Sequence, residues 1–438
     1  MQTFQQRFLV LLLCFWVSSL YLMAQNDIQY YRPYDQRGVN MFETPKTTLT
    51  EESGFKVRIG GHFAQQFQAL SHESGLEKEF GLDTLIKIKP GFNLATANLN
   101  IDAQLQEGIS VSLVTYLSSR HHPEAWVKGG YIQMDKLTFL KSDFVDKVMN
   151  NLTLKVGHFE INYGDSHFRR TDNGNAMWNP FVGNYILDAF TTEIGGEAIY
   201  QSKIGLLGVL AVTGGEIKGD VTEPVVRPQD DKAKRSPSII GKLGYDKQIN
   251  DKFRARVTGS VYHTASSASN TLYGGDRTGS RYYLVVEPEN ATISTRFTSG
   301  RYNPGFSDKV TAFMGNVFLK YAGAEFFGTY EMANGRSNTE TDTRKVSQLA
   351  GDLLYRFGKR EQFYVGARYC MVTAEQLSGT STTDVTLNRI QGSAGAYVTK
   401  NILAKIEYVN QNYNDFPTTD LRYNARFSGL MVEGVIGF

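Results

Sequence analysis

The sequence predicts an all-β chain: a transmembrane antiparallel β-barrel of about 16 strands. Three observations carry this. Apolar and polar residues alternate over long segments, which is the pattern of a strand with one apolar face. Those segments run to ~9–11 residues or more, enough to cross a bilayer at a tilt and longer than the ~5–6 of ordinary globular strands. Their connections alternate short and long, as the two rims of such a barrel do.

In chain order, the first element is a leader at residues 1–24. "MQTFQQRFLVLLLCFWVSSLYLMAQ" places Arg7 before an apolar run from Phe8 to Leu22, with a cut expected after Ala24. The run is shorter than the ~20 residues of a spanning helix, so a secretory signal peptide is the better fit. Cys14 invites a lipid anchor, but Leu13 is too large for the residue before a lipidated cysteine. An N-terminal periplasmic segment is expected at residues 25–55 and the barrel at residues 56–438.

The strands follow. In "NLATANLNIDAQL", Ala97, Leu99, Ile101 and Ala103 share one face and Asn98, Asn100, Asp102 and Gln104 the other. After the turn Gln106–Gly108 the alternation resumes at Ile109, Val111 and Leu113. The same layout recurs to the end of the chain. Short turns are expected at Gln106–Gly108, Ile249–Asp251, Ala322–Gly323, Gly358–Glu361 and Lys400–Asn401. Long loops are expected at Ser71–Lys89, Asn162–Thr191, Gly219–Pro237, Ala265–Asp308, Asn334–Lys345, Glu375–Thr383 and Asn412–Asp420. Phe139–Asn151 is a longer connection on the short-turn side, with room for a helical turn. Tyr321, Tyr330, Tyr355 and Tyr408 sit near strand ends, where polar-tipped rings suit the lipid–water boundary. The final strand, "LMVEGVIGF", carries Leu430, Val432, Gly434, Ile436 and Phe438 on one face. An aromatic terminus on an alternating strand has the form of a barrel assembly signal. Tyr423 and Phe427 have the opposite parity, so a bulge is expected near Ser428–Gly429.

Composition excludes several classes. Removing the leader takes away Arg7 alone from 46 Lys and Arg, leaving 45 against 44 Asp and Glu. That balance is not the basic excess of a nucleic-acid binder. Cys370 is the one cysteine left after the leader, so no intramolecular disulfide can form. There is no G-x-S-x-G, P-loop, H-E-x-x-H or C-x-x-C, and no enzyme, cofactor or metal is expected. His121, His122 and Glu124 could be read as a metal site, but adjacent histidines in a loop are more often solvated than ligating. His62, His158 and His263 lie on strands as wall residues.

The stretch "HFRRTDNGNAMWNPF" breaks the alternation inside the loop Asn162–Thr191. A loop of that length in a β protein usually has a task. It is expected to fold into the barrel, with Arg169, Arg170 and Asp172 at a pore constriction and Trp178, Pro180, Phe181 and Tyr185 pinning it to the wall. The competing expectation is a loop packed on its neighbours outside. Pore-lining charges are expected at Arg254, Arg256, Arg356, Arg368 and Arg389, offset by Glu193, Glu197, Glu325, Glu331, Asp352 and Glu407, giving a mixed-charge lumen.

Just before that loop, "VGHFEINYG", Val156 to Gly164, resembles the phosphate-selective porin O and P family. There a strand of form Gly-x-Phe-x-x-Pro-Phe-Gly precedes the third long loop. Gly157, Phe159 and Gly164 match; Asn162 and Tyr163 depart. The resemblance implies a sixteen-stranded, homotrimeric diffusion channel in the outer membrane of a Gram-negative bacterium. Its partners would be outer-membrane lipid, the barrel assembly machinery acting on Phe438, and small hydrophilic solutes or anions, phosphate-like ones included. Phosphate selectivity itself is not carried over, because its arginine ladder and lysine ring cannot be placed here residue by residue. The alternatives are a plugged accessory or secretion-associated barrel, an outer-membrane enzyme, and a soluble secreted β protein.

Overall fold

The computed structural model describes residues 28, 30–46, 54–82, 84–120, 124–221, 227, 233–274, 279–379 and 381–438. The leader, His121 and His122 lie outside these residues, as does most of the expected loop Gly219–Pro237.

Among the described residues seventeen strands form one sheet: β1 (Lys56–Glu73), β2 (Gly91–Phe92), β3 (Thr96–Gln106), β4 (Ile109–Leu117), β5 (Trp126–Met134), β6 (Leu152–Glu160), β7 (Thr192–Gln201), β8 (Leu206–Thr213), β9 (Ser238–Gln248), β10 (Phe253–Thr264), β11 (Lys309–Tyr321), β12 (Ala324–Arg336), β13 (Arg344–Phe357), β14 (Phe363–Ser378), β15 (Ser381–Thr399), β16 (Ile402–Asn414) and β17 (Arg426–Gly437). The two-residue β2 belongs to a loop. The other sixteen are the antiparallel wall of a transmembrane β-barrel, each paired with its sequence neighbours. Closure comes from β1, which pairs with β3 over Lys56–Ala64 and with β17 over His62–Glu73. The backbones of Gly61 and Phe438 exchange two further hydrogen bonds, at 3.0 and 3.1 Å. A closed barrel leaves no strand edge unpaired, which a lipid environment requires.

Local sequence explains the course of the chain. Alternation puts Leu99, Ile101, Leu319, Leu353, Ile406 and Val432 on the outer face, exposed to the bilayer. Asn98, Asp102, Arg256, Asp352, Glu407 and Glu433 point inward and are buried. Tyr355, Phe357 and Phe363 stack side by side next to the short connection between β13 and β14, an aromatic rim of the kind found at membrane boundaries. The connection after β5 holds a helical turn, with α2 at Asp143–Met149; α1, Gly75–Phe80, lies in the loop after β1.

Two sequence expectations are corrected. No bulge interrupts the pairing of β17 with β1 or β16 near Ser428–Gly429. Phe427 simply faces inward, fully buried against Tyr282 at 5.3 Å between ring centres. Nor is Glu375–Thr383 a loop: β14 and β15 stay paired to Ser378 and Ser381.

The expected N-terminal periplasmic segment, in its described part, runs inside the barrel. Tyr34 donates to Asp102 on β3 (2.8 Å), Asn40 to Glu325 on β12 (2.5 Å), and Lys46 pairs with Asp135 after β5 (3.1 Å).

Candidate functional site: a lumen narrowed by its own chain

The loop between β6 and β7 spans residues 161–191. All of it is buried except Ser166, His167, Phe168 and Asn175, which are partly so. Its entry explains two glycines of the motif around it. Gly157 has φ +136°, and a side chain there would meet the backbone of Gly130 and Tyr131 at 2.6–2.8 Å. Gly164 turns the chain inward at φ +67°, where a Cβ would strike the Met314 side chain on β11. Only glycine fits both conditions without strain.

Backbone groups of the loop then find partners on the wall. The Val182 N–H donates to Glu407 (2.7 Å) and the Leu187 N–H to Gln348 (2.8 Å). Lys405 donates to the carbonyls of Ala176, Asn179 and Phe181 at 3.0–3.1 Å. Irregular backbone at membrane depth requires such satisfaction from protein or water.

The expected constriction residues sit inside the barrel and are engaged. Arg170 forms a two-point pair with Asp188 (2.9 and 2.7 Å), with its guanidinium 3.9 Å from the Phe190 ring centre. Asp172 pairs with Lys128 on β5 and lies 4.0 Å from Arg170. Arg169 donates to Asn40 of the N-terminal segment and approaches Glu325 at 3.7 Å. Trp178 meets His62 of β1 edge-on at 5.1 Å. Ser393 donates to the carbonyl of Pro180 (2.7 Å), Phe181 lies under Arg368 (4.1 Å), and Tyr185 donates to Asp352 (3.2 Å).

The charges expected to line the pore all face inward, and each holds something. Arg368 grips Asp352 at two points and the Gly183 carbonyl (2.9 Å). Arg389 donates to Gln411 and to the carbonyls of Asn184 and Gly300. Arg356 pairs with Glu325 (2.7 Å), and Arg254 with Asp246 (2.7 Å). Arg256 bridges Asp165 of the loop and Glu43 of the N-terminal segment, both at 2.7 Å. Glu331 accepts from Tyr163 (3.2 Å) and Tyr273 (2.8 Å). Glu193 accepts from Tyr262 (2.7 Å), and Glu197 pairs with Lys155 (3.1 Å).

Burial alone would raise the carboxyl of Glu43. Arg256 and Lys242 outweigh it and hold the group at about 2. Burial likewise opposes ionisation of Asp165, and the same two cations hold it well below the usual carboxylate range. Burial pushes His167 down, and Glu160 only partly offsets this.

Sequence reasoning did not single out Arg32, Glu43, Lys128, Asp165, Asp188 or Lys242. Lys128 and Lys242 could have been found as polar residues on inward parity. Arg32 and Glu43 carry no such signal, because the segment around them has no periodicity. Among the described residues no group of three or more His, Cys, Asp or Glu is placed to hold a metal.

Between the loop, the N-terminal segment and strands β3–β7 a cavity of about 250 Å³ remains. Its walls include Asn98, Ser112, Lys128, Gln133, Lys155 and Thr192 of the barrel, with Arg170, Asp172 and Trp178 of the loop.

No family model and no curated relative matches the chain. Solved structures do. An anion-selective porin from Comamonas acidovorans aligns with TM-score 0.51 at 11% identity, over 88% of this chain and 100% of that one. The outer membrane channel DcaP of Acinetobacter baumannii aligns with TM-score 0.50 at 9% identity, over 88% and 98%. OprB of Pseudomonas putida aligns with TM-score 0.50 at 8% identity, over 87% and 94%. At such identities the likeness is one of fold. It extends across several kinds of outer-membrane porin and is not specific to the phosphate-selective porins O and P, so this chain has the porin barrel fold.

Proposed function

We propose that the chain is an outer-membrane porin of a Gram-negative bacterium, a restricted diffusion channel for small hydrophilic solutes or anions. The observation that carries this is the cavity, lined by charged and aromatic side chains, that remains beside the loop 161–191 inside the barrel. A wall of opposed fixed charges along such a path sets a size limit and a modest ion preference. Arg169, Arg170 and Asp172 act at the narrow level by fixing the loop, and the inward arginines and carboxylates of the wall act as its anchors. Selectivity for phosphate forms no part of the proposal, since the wall arginines Arg254, Arg256, Arg356, Arg368 and Arg389 are each held by a carboxylate or a carbonyl. The leader directs export, Phe438 serves assembly, and the working unit is a homotrimer, as the family resemblance implies. The test is the reversal potential of the purified protein in planar bilayers across a salt gradient. Discrete conductance steps with a finite ion preference are expected.

A second reading is a plugged accessory barrel. It is favoured by the contacts that the described residues of the N-terminal segment and of the loops 161–191 and 265–308 make with the wall, such as Tyr34 with Asp102, Val182 with Glu407 and Tyr273 with Glu331. Folded protein that never conducts would establish it.

A further inference from the structure

The basic residues of the cavity differ in one respect. Lys128 is matched by Asp172, Lys155 by Glu197 and Arg170 by Asp188. Arg32 also lines the cavity, but its Nε donates to the Gly38 carbonyl (2.8 Å) and its Nη1 to the Phe168 carbonyl (3.0 Å). Its Nη2 has no partner among the described residues. No described carboxylate lies within ion-pair distance of it.

The carboxylates of the cavity cannot serve it. Glu43 is taken by Arg256 and Lys242, Asp135 by Lys46 and Asp172 by Lys128, while Glu160 holds a hydrogen bond to His167 and lies beyond ion-pair distance of Arg32. A guanidinium sequestered from bulk water without a counter-ion is unfavourable, and such groups are normally paired. One more donor on the same cavity, Trp178 Nε1, lacks a partner among the described residues, and so does the ring nitrogen His62 Nε2. His62 is 1% exposed and Trp178 9%.

We propose that this cavity is a binding site for a small organic monocarboxylate with a flat apolar body, with Arg32 as its counter-ion. The proposal deepens the porin reading and rests on it for the route by which solute reaches the cavity. A single guanidinium presents a planar fork that matches one carboxylate; a multiply charged anion would call for further unpaired cations, which the cavity does not offer. The apolar body follows from the walls. Arg32 lies 3.5 Å from the Trp178 ring centre, and Tyr34, Tyr131, Phe159 and Phe168 complete an aromatic lining. The volume is below the ~300–1,000 Å³ of pockets for drug-sized ligands, so the occupant is about one ring in size.

The test is calorimetric titration of the detergent-solubilised full-length protein with sodium benzoate, sodium phosphate and benzylammonium chloride. Saturable binding of benzoate alone is expected. Arg32→Gln should weaken it at least about tenfold, the loss of one charge-assisted contact, and Trp178→Phe by a smaller factor. Faster gel migration of unboiled samples checks that each variant is folded. If Arg32→Gln fails that check, Arg32→Lys replaces it, keeping the charge but losing the fork, and it too should weaken binding. No saturable benzoate binding, equal binding of phosphate or benzylammonium, or unchanged binding in the Arg32 variant each overturns the site. Conductance distinguishes the two claims: conduction without benzoate binding removes the site and leaves the porin, whereas benzoate binding without conduction removes the porin.

Discussion

Replacing Arg170 by Glu should open the barrel without unfolding it. The side chain is buried, grips Asp188 at 2.7–2.9 Å and lies 4.0 Å from Asp172. A glutamate there puts a third carboxylate beside two. Breaking a buried pair by removing one partner costs ~3–5 kcal/mol. At ~1.4 kcal/mol per factor of ten, the equilibrium between loop inside and loop displaced shifts by roughly two to three and a half powers of ten. The barrel itself is held by the strand ladder, in which residues 161–191 form no named strand, so unboiled protein should still migrate fast. Single-channel recordings should show larger or noisier steps than the wild type. Lys345→Glu, at an exposed position at the start of β13, is the matched control and should conduct like the wild type. If Arg170→Glu is folded and gives the same conductance and reversal potential as the control, the ion pairs do not hold the loop and the reasoning fails.

Other expectations follow from the same structure. Deleting Phe438 removes both hydrogen bonds to Gly61 at the seam and should lower the amount inserted in the membrane, measured on fractionated cells, while total synthesis stays constant. Gly157→Val would place a branched side chain at φ +136° and about 2.8 Å from the Tyr131 backbone; the yield of heat-modifiable barrel should fall several-fold, and a normal yield would show that the strand can shift. The carboxyl of Glu43 lies at about 2 in place and near 4.5 when released. Its depressed value means that the anchorage is complete above about 4.5 and is lost as pH falls toward about 2. Protection of residues 30–46 from pepsin should therefore decline across that window, and undiminished protection at its acid end would contradict the clamp. The protein should need detergent for extraction; folded protein in the aqueous fraction would end the barrel account.

The wall was legible in the sequence because each strand states its own two faces. Leu353 and Asp352, or Ile406 and Glu407, declare outside and inside by parity alone, and a bilayer enforces that choice at every position. Register at the C-terminus is harder to read: Phe427 has the parity of the inward residues, and the interior of the barrel accepts an apolar side chain as readily as lipid does. The filling was the least legible part. Glu43 and Arg256 are 213 positions apart and meet only in the closed barrel, so no local pattern links them. The loop 161–191 could be suspected from its length and its arginines, but not its partners. Asp188 and Lys128 become meaningful only once β5 and the loop share a lumen.

The most direct test of a porin narrowed by its own chain is single-channel conductance of the full-length protein beside a variant lacking residues 30–46. That segment contributes Arg32, Asn40 and Glu43 to the lumen and is no part of the strand ladder. The account predicts small, discrete steps for the full-length protein and clearly larger ones for the deletion, with unchanged heat-modifiable mobility. Equal conductance in the two, or none in either, would contradict it.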